Sequence, residues 1–361
     1  MKVIQRKAGI NIFHLTFLSS FIFFSSYSYA CKSEKKINFS INSYNFSEPK
    51  SIENYIGGFT GDIYSGNHAI SLNSFSIGIQ NRNLSLELVE RFDYIQSFTN
   101  ETALFYHQLK NNISTDKVNQ YHLGMETTKF EATGIKIGYQ HQASSTISLN
   151  FAATYYKGKD FNNGELFGEG QWKNPQEFYI YAPATLYSAR NDLLAFPKAD
   201  AQGKGISIDI RGSWQIDKHW KLGLSANDAF SKINWHDALL TNINHWQIYR
   251  LNSDGKLDTN PMATWKKTNY TQKLPVRYIA DLSYTRNNIE YFSKILKTQY
   301  FSHLQIGLEK KLKENKSIEF SWHKDLRALE IGLNKAHSYI SLTTDVNGRA
   351  LSFKYGISMP I

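Results

Sequence analysis

The chain ends in LSFKYGISMPI, residues 351–361, and this stretch alternates without a break. Leu351, Phe353, Tyr355, Ile357, Met359 and Ile361 fall on one side; Ser352, Lys354, Gly356 and Ser358 fall on the other. A period of two is the signature of a pleated strand with one apolar face. Asn347-Gly348 precedes it, a pair that tolerates positive φ and suits a type I′ hairpin turn.

The same alternation recurs upstream. Leu84, Leu86 and Leu88 alternate with Ser85, Glu87 and Val89; Ile206, Ile208 and Ile210 alternate with Ser207, Asp209 and Arg211. Reading each such run as a strand predicts elements near 36–45, 67–80, 83–97, 117–128, 133–141, 145–157, 205–216, 219–229, 273–285, 299–311, 316–324, 327–333, 336–345 and 349–360. That makes about fourteen, within a range of 12–16. Residues 101–111 and 287–298 read as short helical loops, the second because Ile289, Phe292 and Leu296 recur at helical spacing. Two long segments, 158–204 and 230–272, interrupt the rhythm as loops or plugs, the second with a hairpin around Asp254-Gly255.

Composition supports an all-β reading. Of 361 residues only 41% are hydrophobic, yet 14% are aromatic, with 22 Tyr and 23 Phe. Mean hydropathy is −0.44. These values exclude a polytopic helical membrane protein but not a barrel, in which every second residue faces a wet interior. Aromatics stand at the ends of apolar faces (Tyr94, Tyr155, Trp214, Trp220, Tyr284, Tyr300), where a membrane-spanning sheet places its interfacial girdles.

Residues 1–30 have the form of a secretion signal. Lys2, Arg6 and Lys7 precede an apolar run, and Ser28-Tyr29-Ala30 predicts cleavage after Ala30. Cys31, the single cysteine, follows that bond and is a candidate for lipidation. Without those three basic residues, 38 Lys+Arg stand against 31 Asp+Glu. No basic stripe of the kind that binds nucleic acid is visible along the chain.

In its alternating final strand the sequence resembles Gram-negative outer-membrane β-barrel proteins, with Ile361 where those usually carry an aromatic residue. The resemblance implies an antiparallel transmembrane β-barrel in the cell outer membrane. It also implies contact with outer-membrane lipid and insertion by the barrel-assembly machinery. The oligomeric state stays open. Glu87, Arg91, Asp93, Asp209, Arg211, Arg277, Asp281 and Lys354 fall on the polar faces and are expected to face the lumen. Counting back from the last strand puts both long segments on the same side as the termini.

No phosphate loop, dinucleotide fingerprint, GxSxG or HExxH motif occurs, so no cofactor and no metal is expected. The function expected first is a channel for small hydrophilic solutes or a structural envelope barrel without catalysis. One alternative is a lipid-acting hydrolase or deacylase, for which the candidates are His141 with Ser144, and Asn227 and Asp228 with His236. A periplasmic β-rich lipoprotein is the other.

Overall fold

The computed structural model describes residues 35–361 apart from 112, 114–119, 175–176, 190–200, 244–246, 252–256, 259–262 and 314. The signal segment, Cys31 and Asp254-Gly255 lie outside the described residues. Nineteen strands form one antiparallel sheet among the described residues. The first five are β1 (Lys35–Ser47), β2 (His68–Asn81), β3 (Leu84–Phe98), β4 (Gln120–Gln142) and β5 (Ile147–Asn174). After the short β6 (Glu177–Tyr181) and β7 (Ala184–Ser188) come β8 (Gln202–Gln215) and β9 (Trp220–Ile243). Then follow β10 (Gln247–Leu251), β11 (Leu257–Asp258), β12 (Ala263–Gln272), β13 (Arg277–Arg286) and β14 (Ile289–Lys297). The chain finishes with β15 (Ser302–Lys311), β16 (Lys316–His323), β17 (Ala328–Lys335), β18 (Ser338–Thr344) and β19 (Ala350–Pro360).

The sheet closes on itself. β1 pairs with β2 on one edge and with β19 on the other, the latter from Lys36↔Pro360 to Phe46↔Ala350. The ring runs β1-β2-β3-β4-β5-β8-β9 and then β13 through β19, which is fourteen wall strands. Closure leaves the fourteen-strand ring without an open edge, the condition for placing a sheet in lipid. β6, β7, β10, β11 and β12 extend the wall at one end, where β5 runs for 28 residues and β9 for 24.

The count of fourteen agrees with expectation through two errors that cancel. Residues 117–128 and 133–141 are not two strands: β4 runs 23 residues without a turn, paired with β3 and β5. The gap in alternation falls at Glu131-Ala132, where a bulge shifts the β4–β5 register and Ala132 is fully buried. Residues 287–298 are not a helical loop. Asn287 and Asn288 both have positive φ (50° and 62°) and form a two-residue turn into β14. Tyr291 and Ile295 point outward, so period two, not the helical spacing, describes this segment. The helix expected at 101–111 is present as α2 (Asn100–Lys110), capped by Thr99, after a single-turn α1 (Ile52–Ile56). Asn347-Gly348 does not make a type I′ turn, since only Gly348 has positive φ within the longer connection 345–349.

Restoring β14 and fusing β4 reverses the sidedness of the long segments. The termini share one end with the connections 82–83, 143–146, 216–219, 287–288, 312–315 and 336–337. The described parts of 158–204 and 230–272 extend from the opposite end, as do α1 and α2. Short turns at one end and long loops at the other is the arrangement of outer-membrane barrels.

The wall is inverted relative to a soluble sandwich. Leu84, Leu86, Leu88, Ile135, Ile137, Leu224, Phe320, Leu329, Ile331, Leu342 and Leu351 are all exposed large hydrophobics. Ser231, Ser321, Ser341 and Ser352, on the opposite face of four of these strands, are buried. An apolar skin of this extent demands an apolar solvent.

At the long-loop end the β1–β2 connection is organised around Lys50, which is fully buried. Its ammonium donates to the carbonyls of Thr60 (2.9 Å), Gly61 (2.8 Å) and Asp62 (3.1 Å) and lies 5.0 Å from the Phe59 ring. Lys50→Met leaves three carbonyls unpaired and should cost the loop about 1.5–3 kcal/mol. Faster proteolysis and amide exchange over 50–66, with the wall unchanged, is the expected readout.

Candidate functional site

The interior face of the ring encloses a cavity of about 460 Å³. Its lining is polar: Ser40, Asn42, Ser74 and Ser76 on one side, Glu87, Arg91, Asp93, Lys136 and Asp209 on the other. Arg277, Lys294, His303, Gln305, His323 and Lys354 complete it. Arg211 and Asp281 lie on the interior-facing register of β8 and β13, with Asp281 paired in register to Gly223 and Lys294.

One set of charges ties opposite walls together. A bulge interrupts β8–β9 pairing between Ile208 and Ile210, and Asp228 takes a positive φ (56°) within it. The bulge turns Asp228 inward, against the parity of its strand. Its carboxylate accepts from Arg91 Nη1 (2.8 Å) and Nη2 (2.7 Å), from Ser207 Oγ (2.7 Å) and from Arg277 Nη2 (3.0 Å). Arg91 also donates from Nε to Asp93 (2.8 Å). β3 and β9 are not neighbours in the ring, so the Arg91–Asp228 pair crosses the lumen. Paired this way, two guanidiniums and two carboxylates hold each other at low exposure.

A second set lies on β15–β19. Glu330, 1% exposed, accepts from His323 Nε2 (2.8 Å), Gln305 Nε2 (3.0 Å), Ser341 Oγ (2.6 Å) and Lys354 Nζ (2.8 Å). With Glu330 ionised, His323 carries its proton on Nε2 and offers Nδ1 to His303 Nε2 (2.7 Å). His303 Nδ1 is then a lone pair, 3.8 Å from Asp325 at the β16–β17 turn. His303 and His323 stand twenty residues apart, and no motif in the sequence joins them to Glu330. Their convergence depends on the hairpin register Gln305↔His323, which a turn pinned at 312–315 makes readable.

Toward the long-loop end the interior is filled with aromatic and aliphatic side chains. Phe130, Ala132, Tyr156, Phe161, Ile233, Trp235 and Leu274 form one buried core inside the ring. Trp235 stacks on Phe161 at 4.2 Å and donates to Gln272 Oε1 (3.1 Å), whose amide reaches across to the Lys129 carbonyl (2.9 Å). Phe46, Ile70, Ile95 and Leu326, with Tyr44, Leu72 and Tyr300 packed on them, fill the remainder of that level.

The hydrolase candidates do not assemble. Ser144 Oγ is bonded within its own turn, accepting from the backbone of Thr146 and Ile147, while His141 stacks on Tyr139. His236 lies exposed on the outer face and contacts Asn269 (3.3 Å), whereas the Asp228 carboxylate is spent inside. Asn227 lines the cavity beside it. Neither histidine is within a hydrogen bond of a serine or carboxylate that it would need as partner.

No protein-family model matches the chain, and no curated protein matches it in sequence. Solved structures resemble it in fold. The P. putida toluene transporter TodX is 11% identical, over 92% of this chain and 91% of that one, with a TM-score of 0.45. A Pseudomonas aeruginosa FadL homologue is 9% identical over 90% and 86%, with a TM-score of 0.36. The translocator domain of autotransporter NalP from Neisseria meningitidis is 9% identical over 96% and 94%, with a TM-score of 0.35. By its closed ring, its apolar exterior and its polar interior, this chain is a fourteen-stranded β-barrel of the outer-membrane type.

Proposed function

We propose that the barrel is a gated channel for small hydrophilic solutes, held here with its gate shut. The observation that carries this reading is the division of one lumen into two parts. A polar vestibule of about 460 Å³ lies below a packed aromatic core that fills the long-loop end. A barrel with only a structural role has no need to keep Lys294 and Glu87 facing an open cavity. With short turns toward the periplasm, as barrels of this type insert, the vestibule faces the periplasm and the aromatic gate faces outward.

Planar-bilayer conductance and liposome swelling with a small sugar test it. The wild type should conduct rarely. Phe161→Ala/Trp235→Ala, which removes the stacked pair, should conduct steadily and admit the sugar. If that variant is folded by its gel mobility yet stays impermeable, the barrel is structural and the channel reading fails.

A further inference from the structure

Four lysines form a row on the outer wall just beyond the lipid-facing belt. Lys157 on β5 is paired in register directly opposite Lys204 on β8. Lys204 pairs with Asn234 on β9, and Lys232 sits two residues from Asn234 toward the termini. Lys273 follows Gln272, the register partner of Ile233. Strands of a barrel tilt by roughly 35–45°, so a row at one height must step along the register from strand to strand. The step from Lys204 to Lys232 has that direction.

All four side chains are exposed, and none has a hydrogen-bond or ion-pair partner among the described residues. Directly opposite side chains stand about 4.5–5.5 Å apart at Cβ, and like charges so placed are destabilising unless a counter-charge joins them. On the adjoining surface Glu90 and Asp160 are already taken, by Lys159 (2.6 Å) and Lys129 (2.7 Å). Two residues toward the termini from Lys157, Lys204 and Lys232 stand Tyr155, Ile206 and Phe230, each exposed and apolar. The row therefore lies where acyl chains give way to headgroups, at the end that carries the long loops.

We infer that Lys157, Lys204, Lys232 and Lys273 bind the phosphorylated headgroup of a lipid in the leaflet at the long-loop end. A phosphate monoester supplies the missing counter-charge and several acceptor oxygens, while its acyl chains continue down the apolar strip below. The surface thus reads both ends of one molecule. This assignment is independent of whether the lumen conducts.

The test uses the full barrel in nonionic detergent, titrated with dioleoyl phosphatidic acid and followed by native mass spectrometry. Phosphatidylcholine of the same acyl chains is the comparison, and inorganic phosphate is the competitor. Wild type should prefer phosphatidic acid, and successive Lys→Gln replacement in the row should weaken binding by about fivefold per lysine. Lys218→Gln/Lys310→Gln/Lys313→Gln/Lys335→Gln, at the opposite end, carries the same charge change and should bind as wild type does. The inference is overturned if the row variant binds undiminished, or if the control variant loses as much. Displacement by inorganic phosphate at concentrations similar to the lipid overturns it too, because the acyl strip then contributes nothing. Unaltered heat-modifiable gel mobility establishes that each variant is folded.

Discussion

Asp228→Asn should destabilise the folded barrel by about 3–5 kcal/mol, read as a lower urea midpoint in lipid vesicles. The substitution keeps the shape of the side chain and removes only its charge. Asp228 is 1% exposed and, among the described residues, is the acceptor that joins Arg91 to Arg277 and Ser207. Without the carboxylate, two guanidiniums face each other in the interior with only Asp93 in contact with them, and Asp93 lies 4.0 Å from Arg277. An amide can also accept only at one atom, so the bidentate geometry with Arg91 is lost. Asp209→Asn makes the useful contrast. Its partner Lys136 (2.7 Å) and the carboxylate itself are partly open to the vestibule, so water compensates and the loss should stay near 1 kcal/mol or below. Equal midpoints for Asp228→Asn and wild type would mean that the lumen-crossing pair is not holding the walls together.

The cross-lumen pair also marks the boundary of what alternation reveals. Period two placed the polar faces of β3, β8, β13 and β19 on one side, because side-chain direction along a strand is a local property. It offered Asp228 only as a partner for His236, because a bulge with positive φ is set by the partner strand and by the charges that Asp228 meets. Asn287-Asn288 carried a hairpin signal that the helical spacing of Ile289, Phe292 and Leu296 hid; two periodicities fit nine residues almost equally well, and pairing with β13 and β15 decides. That one segment, with the false break near 131, reversed the sidedness of 158–204 and 230–272. The histidine–Glu330 set and the lysine row were invisible for another reason. Lys157 and Lys273 are far apart in sequence, and only the pairings β5–β8, β8–β9 and β9–β12 set them in one row. A chain scanned for a basic run shows none, although the folded surface has one.

Trp235→Ala should cost about 3–5 kcal/mol by the cavity it leaves, and its coupling to two glycines should show where the gate is seated. Gly158 and Gly203 are register partners on β5 and β8, both facing the interior. A Cβ on Gly158 would lie 2.3 Å from Trp235 Cη2, and one on Gly203 would lie 2.6 Å from Cε3. The indole thus lies flat over a two-glycine floor, with Phe161 stacked above it. Gly158→Ala or Gly203→Ala in the wild type should cost about 1–3 kcal/mol, since the ring must lift from a close-packed position. In a Trp235→Ala background the same glycine changes should cost almost nothing, giving a coupling of the order of 1–3 kcal/mol. The signs separate two accounts of the aromatic core. If the glycines exist to seat the indole, lifting the ring by Gly158→Ala should raise conductance while stability falls, and Trp235→Ala should abolish any further effect of the glycine change. If the glycines serve only the twist of β5 and β8, their substitution costs the same with and without Trp235, and conductance does not respond. The first outcome makes Trp235 the moving part of the gate, because a floor shaped to one side chain has a purpose only if that side chain settles on it and can leave.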